Sequence, residues 1–302
     1  MWLINTTTLG LEEFFGSDTP RYAILSHTWD DEEVSFQEFG SRPATLKKGW
    51  SKIKKTCDKA ARHGYKYAWV DTCCIDKRSS AELTESINSM FKWYQDAGVC
   101  YVYLPDLPAD VPVVEGLKAC RWFTRGWTLQ ELIAPRDIRF YGRDWHWLGT
   151  KKDFAEQIST ITGIRVPVLR LTKSPKIYSI STRMSWAANR TTKRIEDMAY
   201  CLLGIFDVTM PMLYGEGTRA FGRLQEEIIK RSNDMTIFAW SQPEGEQEDA
   251  SGALFAPSPA FFAQTIEVEE RRTLSAESRL ADSTHNSPEP LGPFATAILR
   301  TI

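Results

Sequence analysis

Short apolar runs alternate with longer amphipathic stretches through the first half of the chain. Tyr22-Ala23-Ile24-Leu25-Ser26 follows Thr19-Pro20 and reads as a buried strand running into the polar turn Ser26-His27-Thr28-Trp29-Asp30-Asp31. Over residues 50–63, Trp50, Ile53, Cys57, Ala60 and Ala61 recur at helical spacing between lysines, and Gly64 is placed to cap that helix. Tyr67-Ala68-Trp69-Val70-Asp71 predicts a second strand. A loop from Cys73 to Ser80 leads to a helix over Glu82–Asp96, with Leu83, Ile87, Met90, Phe91 and Tyr94 on one side. Val99-Cys100-Tyr101-Val102-Tyr103-Leu104 predicts a third strand, Pro105–Val114 a loop, and residues 116–134 a helix that Pro135 stops. Ile138-Arg139-Phe140-Tyr141 predicts a fourth strand.

Residues 20–150 thus read β-α-β-α-β-α-β, the pattern of a parallel sheet covered by helices on both faces. Ligands of such sheets bind beyond the C-terminal ends of the strands. Ser26, His27, Trp29, Asp71 and the helix bearing Glu131 are therefore expected at one edge. Residues 151–240 read as mostly helical, with stripes at Ile195, Met198, Ala199, Leu202, Leu203 and Phe206 and at Phe221, Leu224, Ile228 and Ile229. Met235–Trp240 looks like a late strand. From about 241 to 302 Glu, Ser, Gln and Pro dominate, so this stretch reads as a low-complexity, partly disordered tail, with short ordered pieces at Leu254-Phe255 and Phe261-Phe262. The expected units are a core at 1–150, a helical extension packed on it at 151–240, and the tail at 241–302.

Composition narrows the function. A chain of 302 residues with 42% hydrophobic content has ample core, and a formal charge of −2 disfavours nucleic acid as a partner. Six cysteines, two of them adjacent at Cys73 and Cys74, are too irregular for a disulfide framework. The N-terminus has no basic segment and no long apolar run, so no signal peptide, no membrane span and a cytoplasmic location are expected. The four histidines and the cysteines show no metal spacing. Gly215-Glu216-Gly217-Thr218-Arg219-Ala220 fits a dinucleotide fingerprint only on paper, because no clear strand precedes it. It reads as a turn into the helix at 218–232.

The chemistry concentrates in Arg121-Trp122-Phe123-Thr124-Arg125-Gly126-Trp127-Thr128-Leu129-Gln130-Glu131-Leu132. Tryptophan and arginine need partners for their N–H groups when buried. Glu131, four residues after Trp127, shares its helix face. The site can bind a ligand, or Glu131 can be a structural ion pair with Arg125 or Arg136. His27 and Trp29 read either as core or as ligand contacts. Asp71 reads either as an Asx turn or as a ligand contact at the end of its strand.

Three blocks resemble the fungal heterokaryon incompatibility (HET) domain: Tyr22 to Trp29, Gly64 to Asp76, and Arg125 to Glu131. A further block, Arg194 to Phe206 followed by Met210 to Gly217, is similar to such proteins, and the likeness covers about residues 20–240. Asp30 stands where the family often has glycine, and Lys77 where it often has glutamine. HET domains trigger cell death when different hyphae fuse, and they resemble TIR domains. The resemblance implies a TIR-like, flavodoxin-like α/β fold. Trp127-Thr128-Leu129-Gln130-Glu131-Leu132 looks like the Trp-Cys-x-x-Glu-Leu pattern of enzymatic TIR domains, with Thr128 in place of cysteine. It implies that Glu131 is the catalytic carboxylate of NAD+ cleavage, in a pocket shaped by Ser26, His27, Trp29, Asp71, Arg125 and Trp127. NAD+ is then a substrate, with no cofactor or metal. Self-association on activation and an upstream recognition protein are implied as partners. The rival expectation is a non-enzymatic oligomerisation module of cell-death signalling.

Overall fold

A computed structural model describes residues 1–243 and 253–264. Seven strands form one mixed sheet: β1 (Trp2–Asn5), β2 (Leu11–Glu13), β3 (Tyr22–His27), β4 (Tyr67–Trp69), β5 (Val99–Tyr103), β6 (Ile138–Tyr141) and β7 (Trp147–Thr150), in the order β2-β1-β4-β3-β5-β6-β7. The four strands expected from the apolar runs are the central ones, and they pair in parallel. The purely parallel expectation needs correction at both edges. The β1–β2 hairpin joins β4 antiparallel, and β7 joins β6 antiparallel. Runs of three or four residues with no sustained period carry little signal of their own, so pairing to an existing edge makes them strands.

The helices are α1 (Lys48–Arg62), α2 (Ser80–Asp96), α3 (Val113–Ala119), α4 (Thr128–Ile133), α5 (Ala155–Thr162), α6 (Val166–Leu169), α7 (Ile180–Ser185), α8 (Asp197–Tyr200), α9 (Leu203–Phe206) and α10 (Arg219–Ile229). In α1, Ile53, Cys57 and Ala60 are buried, while Ala61 faces solvent. Its end is closed by Gly64 at φ 82°, with Gly64 N–H bonded to Ala61 O at 3.0 Å and Tyr65 N–H to Ala60 O at 2.9 Å. Ser79 caps α2 by accepting from the Glu82 N–H.

The single helix expected over 116–134 is instead three pieces: α3, a 3₁₀ turn at Arg121–Thr124, and α4. Cys120 and Arg125 between them are extended. The reason is tertiary. Thr191 N–H donates to Thr124 O at 2.7 Å, and Gly126 N–H donates to Thr191 O at 2.8 Å. Those backbone groups serve a bridge between Arg125 and Thr191 rather than a helix ladder.

The expected stripe from Ile195 to Phe206 is likewise divided between α8 and α9, and Ile195 is outside both and exposed. Ala199, Leu202, Leu203 and Phe206 are buried as the spacing implied. The expected strand at Met235–Trp240 is a 3₁₀ turn at Met235–Phe238. Asp234 Oδ1 accepts from the Thr236 N–H at 3.0 Å and the Thr236 hydroxyl at 2.6 Å, and this local capping wins over strand propensity. Residues 219–229 are helical as expected, after the turn at Gly215–Gly217. Phe261 and Phe262 sit buried in a 3₁₀ turn at Pro259–Phe262 that packs on α7. Most of the expected tail, 244–252 and 265–302, lies outside the described residues.

Candidate ligand pocket at the strand ends

β3 ends at His27, and β4 runs into Asp71 just beyond Trp69. A cavity of about 310 Å³ opens at these C-terminal ends, walled by α2 and α4 and by the segment around Lys193–Asp197. That volume is at the lower end of the range for small-molecule sites, about 300–1,000 Å³. Ile75, Leu83, Ile87 and Met90 supply an apolar wall.

Of the residues picked from the sequence, His27, Trp29, Asp71, Arg125, Trp127 and Glu131 all line this cavity. Ser26 does not reach its surface. It lies fully buried behind Glu131, donates a short hydrogen bond to Glu131 Oε2, and accepts one from Trp122 Nε1 at 2.7 Å. A relay Trp122–Ser26–Glu131 therefore runs from the sheet core to the cavity floor.

Glu131 is 7% exposed, and among the described residues it makes no ion pair with Arg125 or Arg136. Burial pushes its carboxyl up to about 8, and the charge of Asp71 adds to the rise. The Ser26 hydrogen bond, Tyr94 and the buried Arg190 act against it. Arg190 donates through Nη1 to Arg125 O at 2.8 Å and to Thr128 Oγ1 at 3.0 Å. The Thr128 hydroxyl in turn donates to Trp122 O at 2.5 Å, a linkage that a cysteine thiol makes poorly. The far end of α4 is held by Lys151, whose buried ammonium donates to Leu132 O at 3.1 Å and Pro135 O at 2.8 Å.

Asp71 is not held by an Asx turn. His27 Nε2 is 3.0 Å from its Oδ1, and Trp29 Nε1 donates to its Oδ2 at 2.7 Å. Burial raises this carboxyl, but the His27 contact, the Lys77 charge and the Trp29 hydrogen bond outweigh it, so Asp71 titrates below the ordinary value. The Lys77 ammonium lies 3.8 Å over the Trp29 ring, and so fixes the indole that also binds Asp71. Asp30 pairs with Arg121 at 3.2 Å and with Lys52 at 3.6 Å.

Sequence reasoning did not pick Arg190, Lys193, Arg194, Asp197 or Tyr214 for this site. The Tyr214 hydroxyl donates to Asp197 Oδ1 at 2.9 Å, and the Arg194 guanidinium lies 4.5 Å from the Tyr214 ring. Burial raises the Asp197 carboxyl, against the hydrogen bonds from Tyr214 and Trp127. Glu196 beside it accepts the N–H groups of Gly215 at 2.7 Å and Gly217 at 3.2 Å, which anchors the loop carrying Tyr214. The sequence signal here was the block Arg194–Phe206 followed by Met210–Gly217, which holds Arg194, Asp197 and Tyr214 but not Arg190 or Lys193.

All six cysteines are buried thiols. Among the described residues, no group of three or more histidine, cysteine or carboxylate side chains could hold a metal ion. No helix among them is long and apolar enough to cross a membrane.

The family model of the heterokaryon incompatibility protein (HET) matches residues 22–114, and a domain of unknown function (DUF8212) matches residues 219–288. The chain is 43% identical over 265 residues, 83% of its length, to the vegetative incompatibility protein HET-E-1 of Podospora anserina. It spans 19% of that protein. No solved structure matches. With the strand β3, its polar turn and the Asp71 loop all inside the matched segment, the chain is a heterokaryon incompatibility (HET) domain protein.

Proposed function

We propose that this chain acts in heterokaryon incompatibility, as the name of its relative says of that protein, and that its cavity cleaves the nicotinamide–ribose bond of NAD+. One observation carries the chemical part: Glu131, a carboxylate without an ion-pair partner among the described residues, lines a cavity whose wall includes two indoles. The order of the parallel strands, β4-β3-β5-β6, is that of doubly wound sheets and supports the TIR-like reading.

The reaction needs little machinery. The C1′–N bond breaks, and its electron pair leaves with nicotinamide, which departs neutral from a cationic ground state. No general acid is required. The ribose carbon passes through an oxocarbenium-like state, as in glycoside hydrolysis. Ionised Glu131 stabilises that charge from a site of low dielectric. Water adds to C1′ and loses a proton, giving ADP-ribose. Asp71, held by His27 and Trp29, is oriented to accept ribose hydroxyls, and the Trp29 and Trp127 rings offer faces for the nicotinamide.

Self-association gates the activity in this reading, which places the protein in the cytoplasm as a cell-death effector. The rival scaffold reading draws on the burial of Glu131 and its bond to Ser26, which suit a structural role as well. Nicotinamide release from concentrated protein and NAD+, beside folded Glu131→Ala, separates the two. Release by the unsubstituted protein alone supports cleavage. Absence of release from demonstrably oligomeric protein overturns it.

A further inference from the structure

Arg125 and Lys193 line the Glu131 cavity with no partner for their charged groups among the described residues. Arg194, next to Lys193, lays its guanidinium on the Tyr214 ring and has no carboxylate within ion-pair distance among the described residues. The lining carboxylate beside them, Asp197, is bonded to Tyr214 instead. Elsewhere on this protein cations pair readily: Lys47 with Glu38, Arg121 with Asp30, Arg223 with Glu216. Arg125 and Lys193, uncommitted at one cavity with Arg194 beside them, form an anion-attracting rim.

The rim is built in advance. The bridge between Arg125 and Thr191, with its two backbone hydrogen bonds, stitches the segment carrying Lys193 and Arg194 alongside Arg125. Gly126 permits the approach, because a Cβ there would meet Thr192 Cγ2 at 2.5 Å. Carboxylates Glu131 and Asp71 stand at the strand ends, with Lys77 close to Asp71, while Arg125, Lys193 and Arg194 line the cavity from the two bridged segments.

We propose that Arg125, Lys193 and Arg194 form a phosphate subsite. It receives the diphosphate of a nucleotide whose ribose end reaches Glu131, and makes the pocket selective for phosphorylated ligands over the matching nucleoside. This deepens the reading of the cavity as the NAD+ site and rests on it for the ligand's other half. Arginine matches phosphate oxygens with a planar pair of donors, and lysine adds a point charge.

Calorimetric titration of the purified 302-residue protein with ADP-ribose, which carries the diphosphate but no nicotinamide, tests this directly. Nicotinamide riboside, which lacks phosphate, is the control ligand. The double variant Arg125→Gln/Lys193→Gln is expected to keep the thermal midpoint of the unsubstituted protein, since neither charged group has a partner to lose among the described residues. Its affinity for ADP-ribose should fall at least about tenfold, the size of one lost hydrogen bond to a charged group. Its affinity for nicotinamide riboside should not change. Unaltered ADP-ribose affinity in the folded double variant, or no ADP-ribose binding to the unsubstituted protein, overturns the subsite. Rim-dependent ADP-ribose binding without NAD+ cleavage by demonstrably oligomeric protein sustains the subsite and removes the cleavage reading. NAD+ cleavage with an unchanged kcat/KM in the double variant does the reverse.

Discussion

Ser26 donates a hydrogen bond to the Glu131 carboxylate across 105 residues of chain, and so ties the end of the first parallel strand to the helix that floors the cavity. The same hydroxyl accepts the indole N–H of Trp122 at 2.7 Å. One small side chain thus satisfies two buried groups, and what happens at Glu131 depends on it.

Ser26→Ala leaves the Trp122 N–H without its acceptor and takes a donor from the carboxylate. The expected loss of stability is about 1–3 kcal/mol, read by urea unfolding. The Ser26 bond also lowers the Glu131 pKa, so its removal raises that value further. In the cleavage reading, the pH profile of nicotinamide release then moves to higher pH. Lost stability with no shift of the profile would mean that Ser26 is structural only.

Glu131 titrates near 8, so the ionised form that stabilises an oxocarbenium ion accumulates only as pH rises through that value. The kcat/KM for NAD+, which reports the free protein, should climb with pH and level off above about 8. Stability runs the other way. The folded value is above the ordinary 4.5, so the folded protein holds this proton more tightly than the unfolded chain. The contribution is fully present below about 4.5 and is lost as pH rises to about 8. Glu131→Gln removes an ionisation that burial opposes. Its urea midpoint should exceed that of the unsubstituted protein more at about pH 9 than at about pH 5.5. Equal differences at both pH values would contradict the raised pKa.

Gly126 sits where two backbone segments meet, and an added Cβ would lie 2.5 Å from Thr192 Cγ2 and 3.2 Å from Cys201 Sγ. Gly126→Ala should cost about 1–3 kcal/mol through overpacking. Thr192→Ser deletes the clashing methyl and keeps the hydroxyl that donates to Arg194 O at 2.6 Å, so adding it should recover part of the loss. Full additivity of the two changes in urea unfolding would argue against this contact.

Much of the frame was legible in the order of residues alone. The four apolar runs became the parallel centre of the sheet because a strand buried on both faces needs no alternation, only a short continuous run. Gly64 closed α1 because φ 82° lies in the left-handed region that favours a residue without a Cβ, a local preference visible without the fold. His27, Trp29 and Asp71 came to one cavity because parallel strands present their C-terminal ends together, and Trp127 and Glu131 joined them as close neighbours on one chain segment. Tertiary contact decided the rest. Nothing near Ser26 in sequence marks its bond to Glu131, and Asp71 chose the side chains of His27 and Trp29 over its own backbone. The helix expected through Arg125 gave way to a bridge with Thr191, which brought Lys193 and Arg194 to the rim. Periodicity records which residues face a core. It carries no record of which distant segment supplies a hydrogen bond or a charge, because that pairing exists only once the chain has packed.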